Sequence, residues 1–181
     1  MNVRMTLAAT LLSLAGQSMA DNGDPQDSDP WQVFRLLEGH WSGEIAGRLG
    51  TGQGVRRYRF IHDGTFVEMR HTSVRPPQEK SPRGDHHKEL AIFSYDRDRE
   101  ALILREFLVE GFVNQYVCDV EPTRFRCTTE SVENGPDMKA RLTIDVADAW
   151  NFTETFEIAG AGKDLEVFFA NRWTRVPSLE D

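Results

Sequence analysis

From His40 to Val176 the chain alternates apolar and polar residues in about ten short runs, with only brief turn-forming breaks between them. The runs are HWSGEIAGR, GVRRYRFIH, TFVEMRHTSV, KELAIFSYD, ALILREFLV, GFVNQYVCDV, RFRCTTESV, KARLTIDVA, WNFTETFEI and LEVFFANRWTRV. A period of two is the signature of a strand with one buried face. The breaks include Asp63-Gly64, Asp96 to Glu100, Glu110-Gly111, Glu121-Pro122, Asn134-Gly135-Pro136 and Gly160-Ala161-Gly162. Connections this short join antiparallel neighbours and leave no room for crossover helices. A meander of this length is best stabilised by closing on itself, which removes its free edges. The expectation is an all-β fold: a closed up-and-down antiparallel barrel of about ten strands, spanning residues 30–177.

One helix precedes the strands. Asp29-Pro30 reads as a cap followed by the first helical position. Trp31, Phe34 and Leu37 or Leu36 then form one apolar face that Gly39 ends. Such a helix would plug one end of the barrel. Trp41 would point inward, with Gly43 and Gly47 on the same face where another chain segment comes near. The glycine-rich GRLGTGQG reads as a hairpin loop between the first two strands, because it lacks the Lys-Ser/Thr of a phosphate loop and leads into a strand.

Residues 1–20 read as a cleaved secretory signal: Arg4, an apolar run too short to span a bilayer, and small residues at Ser18 and Ala20. Residues 21–29 are an acidic, flexible lead-in. No membrane span is expected after the signal is removed. The chain carries a net charge of −8, and losing Arg4 makes the remainder more acidic still. That balance argues against nucleic acid, which wants a basic face. Export to a periplasmic or extracellular compartment also fits the two cysteines. Cys118 and Cys127 flank a turn at Glu121 to Arg124, so they would face each other across a hairpin and form a disulfide.

The segments that carry a family likeness are Leu37-x-Gly39-x-Trp41-x-Gly43 after a short helix, the ten-run meander, and SYDRDREALILREFLVEGFVNQYV at 94–117. Together they resemble the calycin superfamily, and within it the nitrobindin-type haem-binding barrels of fatty-acid-binding-protein-like architecture, including bacterial members. The resemblance implies a lumen holding a small apolar or amphipathic ligand, and haem as an alternative cofactor. Nitrobindin-type barrels take their axial histidine near the C-terminus. The five histidines here are His40, His62, His71, His86 and His87, and the last strands hold none.

Inward faces can be read from the alternation. The face with Phe112, Tyr116, Cys118 and Val120 carries Asn114; that with Trp150, Phe152, Phe156 and Ile158 carries Glu154; that with Ile103, Phe107 and Val109 carries Arg105. Charges in an oily lumen must be paired or hold a ligand head. Two alternatives stand. Either Arg105 and Tyr116 anchor a ligand carboxylate or carbonyl while the phenylalanines hold its tail, or Arg105 pairs with Glu154 and Tyr116 with Asn114. His71 joins the lumen only if Val67 and Met69 face inward; the opposite phase buries Phe66, Glu68 and Arg70. Asp85, His86, His87 and Glu89 are metal-ligand types without a distant partner, so no metal site is assigned. No nucleophile motif is present. The leading expectation is a binding barrel rather than an enzyme. A lumen isomerase or hydrolase with Glu154 as base is one alternative. Partner binding through the proline-containing segment 75–87 is another.

Overall fold

The computed structural model describes residues 29–135, 138–160 and 162–178. The proposed signal, and the lead-in up to residue 28, lie outside these. A six-residue helix α1 (Gln32–Leu37) is followed by β1 (Gly39–Gly47), β2 (Gly50–Ile61), β3 (Phe66–Arg75), β4 (Asp85–Asp96) and β5 (Ala101–Leu108). Then come β6 (Val113–Glu121), β7 (Arg124–Glu133), β8 (Met138–Val146), β9 (Asn151–Gly160) and β10 (Glu166–Val176). Each strand pairs antiparallel with the next, and β1 pairs with β10, closing the barrel. The expected all-β barrel is the observed one.

The two ends differ. At one end α1 buries Val33, Phe34 and Leu37, with the Phe34 ring 4.6 Å from Phe93 and 5.1 Å from Phe125. The helix begins at Gln32 rather than Pro30; Asp29 instead accepts a hydrogen bond from the Trp31 amide in the preceding turn. Cys118 and Cys127 face each other between β6 and β7 and form a disulfide in this packed half.

The Gly-x-Trp-x-Gly run is where this plug is fastened. The Trp41 indole donates to the Leu37 carbonyl at 2.7 Å and meets Phe152 edge-on at 4.8 Å. Arg175, from the last strand, lies 4.3 Å over the Trp41 ring and donates to the carbonyls of Leu36, Glu38 and Ala149. Gly39 adopts a φ of +124°, and a Cβ there would sit 2.5 Å from the Arg175 guanidinium. At Gly43 a Cβ would sit 2.6 Å from the Arg172 carbonyl oxygen and 3.0 Å from the Trp173 ring. Both glycines therefore make room for residues of β10.

Three sequence expectations are corrected. GRLGTGQG is not a loop: the turn is Arg48-Leu49 alone, and Gly50, Gly52 and Gly54 lie inside β2 on its inner face. Segment 75–87 is shorter as a loop than expected, since Arg75 ends β3 and Asp85, His86 and His87 begin β4. Its Gln78 side chain both accepts from the Thr51 amide (2.9 Å) and donates to the Thr51 carbonyl (2.8 Å), which fastens the loop to β2. The phase of β5 is reversed. Arg105 points out to solvent, where it donates to Ser94 at 3.2 Å, and Leu102, Leu104 and Glu106 point in. Leu102, Ile103 and Leu104 are apolar on both faces, so the alternation that placed Ile103, Phe107 and Arg105 inward was misleading about the phase. Pairing decides it, by setting Leu104 beside Phe93 and Tyr116.

Candidate functional site

The end opposite α1 is open. A cavity of about 380 Å³ runs into the barrel from there, within the range of small-molecule sites. One wall is apolar and comes mainly from β8, β9 and β10: Leu142, Phe156, Ile158, Phe168 and Phe169. Two consecutive phenylalanines reach the lumen because the β9–β10 register slips between Val167 and Phe169, and a bulge re-aims side chains in this way.

The facing wall is polar, and two clusters build it. In the first, Arg56 of β2 donates to Glu154 of β9 at 2.7 Å, both side chains almost fully buried. The second Glu154 oxygen accepts from Asn171 (2.9 Å) and from the Trp173 indole (3.1 Å). The Arg56 guanidinium lies 4.4 Å over the Trp173 ring and reaches the Tyr58 hydroxyl at 3.3 Å. Burial acts to lower the Arg56 pKa, but Glu154, Tyr58 and Glu89 together more than offset it, and the net shift is upward. The same burial pushes Tyr58 up to about 12. Arg56 can sit here because its predecessors on that face of β2 are glycines: a Cβ at Gly54 would meet Ile45 and Trp173.

The second cluster spans β3 to β6. His71 lies opposite Glu89, and Glu106 lies opposite Asn114. The Asn114 amide donates to Glu106 (3.4 Å) and to the Tyr116 hydroxyl (3.2 Å). Burial first, and then Glu89, raises the Glu106 carboxyl to about 8, although Tyr116 and Asn114 hydrogen bonds and Arg56 oppose this. Glu106 is therefore a neutral acid at neutral pH. Burial and Glu106 also raise Tyr116. His87 contacts Glu110 at 2.9 Å and lies 3.9 Å from Glu89. Glu89 and Glu110 together raise it to about 9 against the effect of burial, so it carries a proton. Burial, helped by Arg56, His87 and Arg75, holds His71 well below its ordinary value, so it is neutral. Nearer the mouth, Arg75 pairs with Asp85 at 2.7 Å.

Of the residues read from sequence, Asn114, Glu154, Phe112, Phe156 and His71 line the cavity. Val67 and Met69 do face inward and bring His71 with them, while Glu68 is on the outer face under Arg59 and Arg70. Tyr116 is buried beneath the cavity floor, tied to Asn114. Phe152 belongs to the packed half, stacked on Trp173 at 5.8 Å, and Trp150 is exposed in the turn before β9. Glu154 does pair with an arginine, but with Arg56 rather than Arg105. Arg56, Arg75, Glu106 and Asn171 were missed, and His87 and Glu89 were read only as metal-ligand types without a site. The Gly50-Gly52-Gly54-Arg56-Tyr58 alternation could have found Arg56, and Asn171 stands two residues before the inward Trp173.

Among the described residues no group of three or more His, Cys, Asp or Glu is placed to hold a metal ion. A nitrobindin-type haem does not fit the residues present. The inward positions of β10 hold Asn171 and Trp173, both engaged by Glu154. No histidine stands on that face of β10, and His87 is already held by Glu110.

No protein-family model and no curated protein matches the chain. Two solved structures align over most of its length. Rv2717c from M. tuberculosis matches with a TM-score of 0.58 at 15% identity, covering 83% of this chain and 99% of that one. EF1p2_mFAP2b bound to DFHBI matches with a TM-score of 0.39 at 11% identity, covering 82% and 100%. The likeness to Rv2717c is one of fold.

Proposed function

We propose that this protein is a calycin-type barrel that sequesters or carries a small amphipathic molecule, acting in a periplasmic or extracellular compartment. The observation that carries the reading is the lumen: about 380 Å³ open at one end, with an aromatic wall facing a polar one. Arg56, Glu154, Asn171, Glu106 and Asn114 are held in place by one another, so this wall is formed before a ligand arrives, which lowers the cost of binding. The disulfide supports an oxidising compartment. The lumen-enzyme alternative loses its base, because both Glu154 oxygens are already engaged.

The test is native mass spectrometry of gently extracted protein, followed by displacement of a neutral fluorescent dye from the lumen. Binding that disappears when Leu142→Trp fills the cavity supports the reading. A folded wild-type barrel that refuses every apolar or amphipathic probe sinks it.

A further inference from the structure

The polar wall has more acids than cations to neutralise them. Arg56 and Arg75 are committed to Glu154 and Asp85 in contacts of 2.7 Å. That leaves Glu89, Glu106 and Glu110 around one imidazolium, His87. They lie on adjoining strands: Glu89 opposite His71 and Leu108, Glu106 opposite Ala91 and Asn114. His71 lines the same cavity at 7% exposure, and its Nδ1 has no hydrogen-bond partner among the described residues. A neutral imidazole can accept from a ligand N–H. Arg105 is outside, and the cations on this side, Arg75 and His87, already face carboxylates.

We propose that the lumen takes an amine: a protonated nitrogen seated among Glu106, Glu89 and His71, with an apolar body against Phe156, Phe168 and Phe169. This rests on the ligand-binding reading above and names its chemical class. An ammonium brings three donors and no acceptor, which suits two carboxylates and an imidazole nitrogen. An aromatic wall also tolerates a cation near its faces. The seat carries its own proton balance. Glu106 holds a proton at neutral pH, and a cation beside it favours the carboxylate. Amine binding therefore releases that proton to solvent. The charged and titratable groups facing Glu106 are Arg56 from β2, His71 from β3, His87 and Glu89 from β4, and Tyr116 from β6. Of these, His87 is raised to about 9 by Glu89 and Glu110.

Decylamine, decanol and decanoate, each displacing a neutral dye from the full-length protein, form the test. Decylamine should bind at least about tenfold tighter than decanoate at pH 7.5, with decanol between them. Its affinity should rise from pH 6 to pH 8 by up to about one decade per pH unit, as Glu106 gives up its proton more readily. Glu106→Gln should remove both the slope and the preference, and its circular dichroism and cooperative urea transition should show that the variant is folded. The Nε groups of Arg56 and Arg75 also lack acceptors, so the carboxylate arm is decisive. Decanoate binding as tightly as decylamine overturns the amine proposal and leaves the ligand-binding reading standing. An amine preference that survives Glu106→Gln overturns the seat. If none of the three binds, the ligand-binding reading itself fails.

Discussion

Arg56 and Glu154 show how a charge is tolerated inside this barrel. Each has a short contact with the other, and the spare carboxylate oxygen has two further donors. Breaking a buried pair from one side leaves an uncompensated charge, at a cost of about 3–5 kcal/mol. Arg56→Met should lower stability by that amount in urea titrations, and the double variant Arg56→Met/Glu154→Leu should recover much of it. Glu106 behaves differently, because its neutral form is the one the fold stabilises. Its folded pKa of about 8 lies above the ordinary 4.5, so the folded state holds a proton that the unfolded chain releases. Stability therefore falls as pH rises from about 4.5 to 8. His87 acts in the same direction: raised to about 9, it contributes stability that is complete below about 6.5 and lost as pH rises through 9. His71, held well below its ordinary 6.5, acts in the opposite direction up to about that pH, so the melting temperature should decline from pH 7 to pH 9. Glu106→Gln should flatten the part of that decline below pH 8; an unchanged slope would show that Glu106 ionises normally.

At the scale of elements, the plug depends on a side chain from the other end of the sequence. Arg175 supplies donors to Leu36, Glu38 and Ala149 while lying over Trp41. Arg175→Ala should cost about 2–3 kcal/mol, as expected for carbonyls that lose a charged donor. Amide exchange should quicken across residues 31–38 while the cavity keeps its ligand. The strands and their order were legible in the sequence because the apolar period and the turn residues are both local. The role of Gly39 was half legible: its turn was, whereas its contact with Arg175 joins residues 136 positions apart. β5 was misphased because Leu102, Ile103 and Leu104 present apolar groups to both faces. β3 stayed open between two phases, since Glu68 is buried on the outer face by Arg59 and Arg70. The polar wall was illegible for a related reason. Glu89, Glu106 and His71 come from three consecutive strands, and the pairing registers that set them side by side are not carried by alternation within any one strand.

For the whole molecule, the disulfide and the cavity occupy opposite halves. Cys118 and Cys127 lie nine residues apart, and closing a loop that short is worth about 2.5 kcal/mol. Cys118→Ala/Cys127→Ala should lower the urea midpoint accordingly and leave dye binding intact. A loss of binding would couple the two halves. Hemin should add no Soret shift of the kind an axial histidine gives, which absorbance titration would check. Finally, the strand that completes the ring by joining β1 to β9 is the last one in the chain. A ribosome delivering this polypeptide from its N-terminus must release β10 before the ring can shut. Until then β1 has one edge without its β10 neighbour, and the stave that waits longest for its partner is the one carrying the Trp41 fastening.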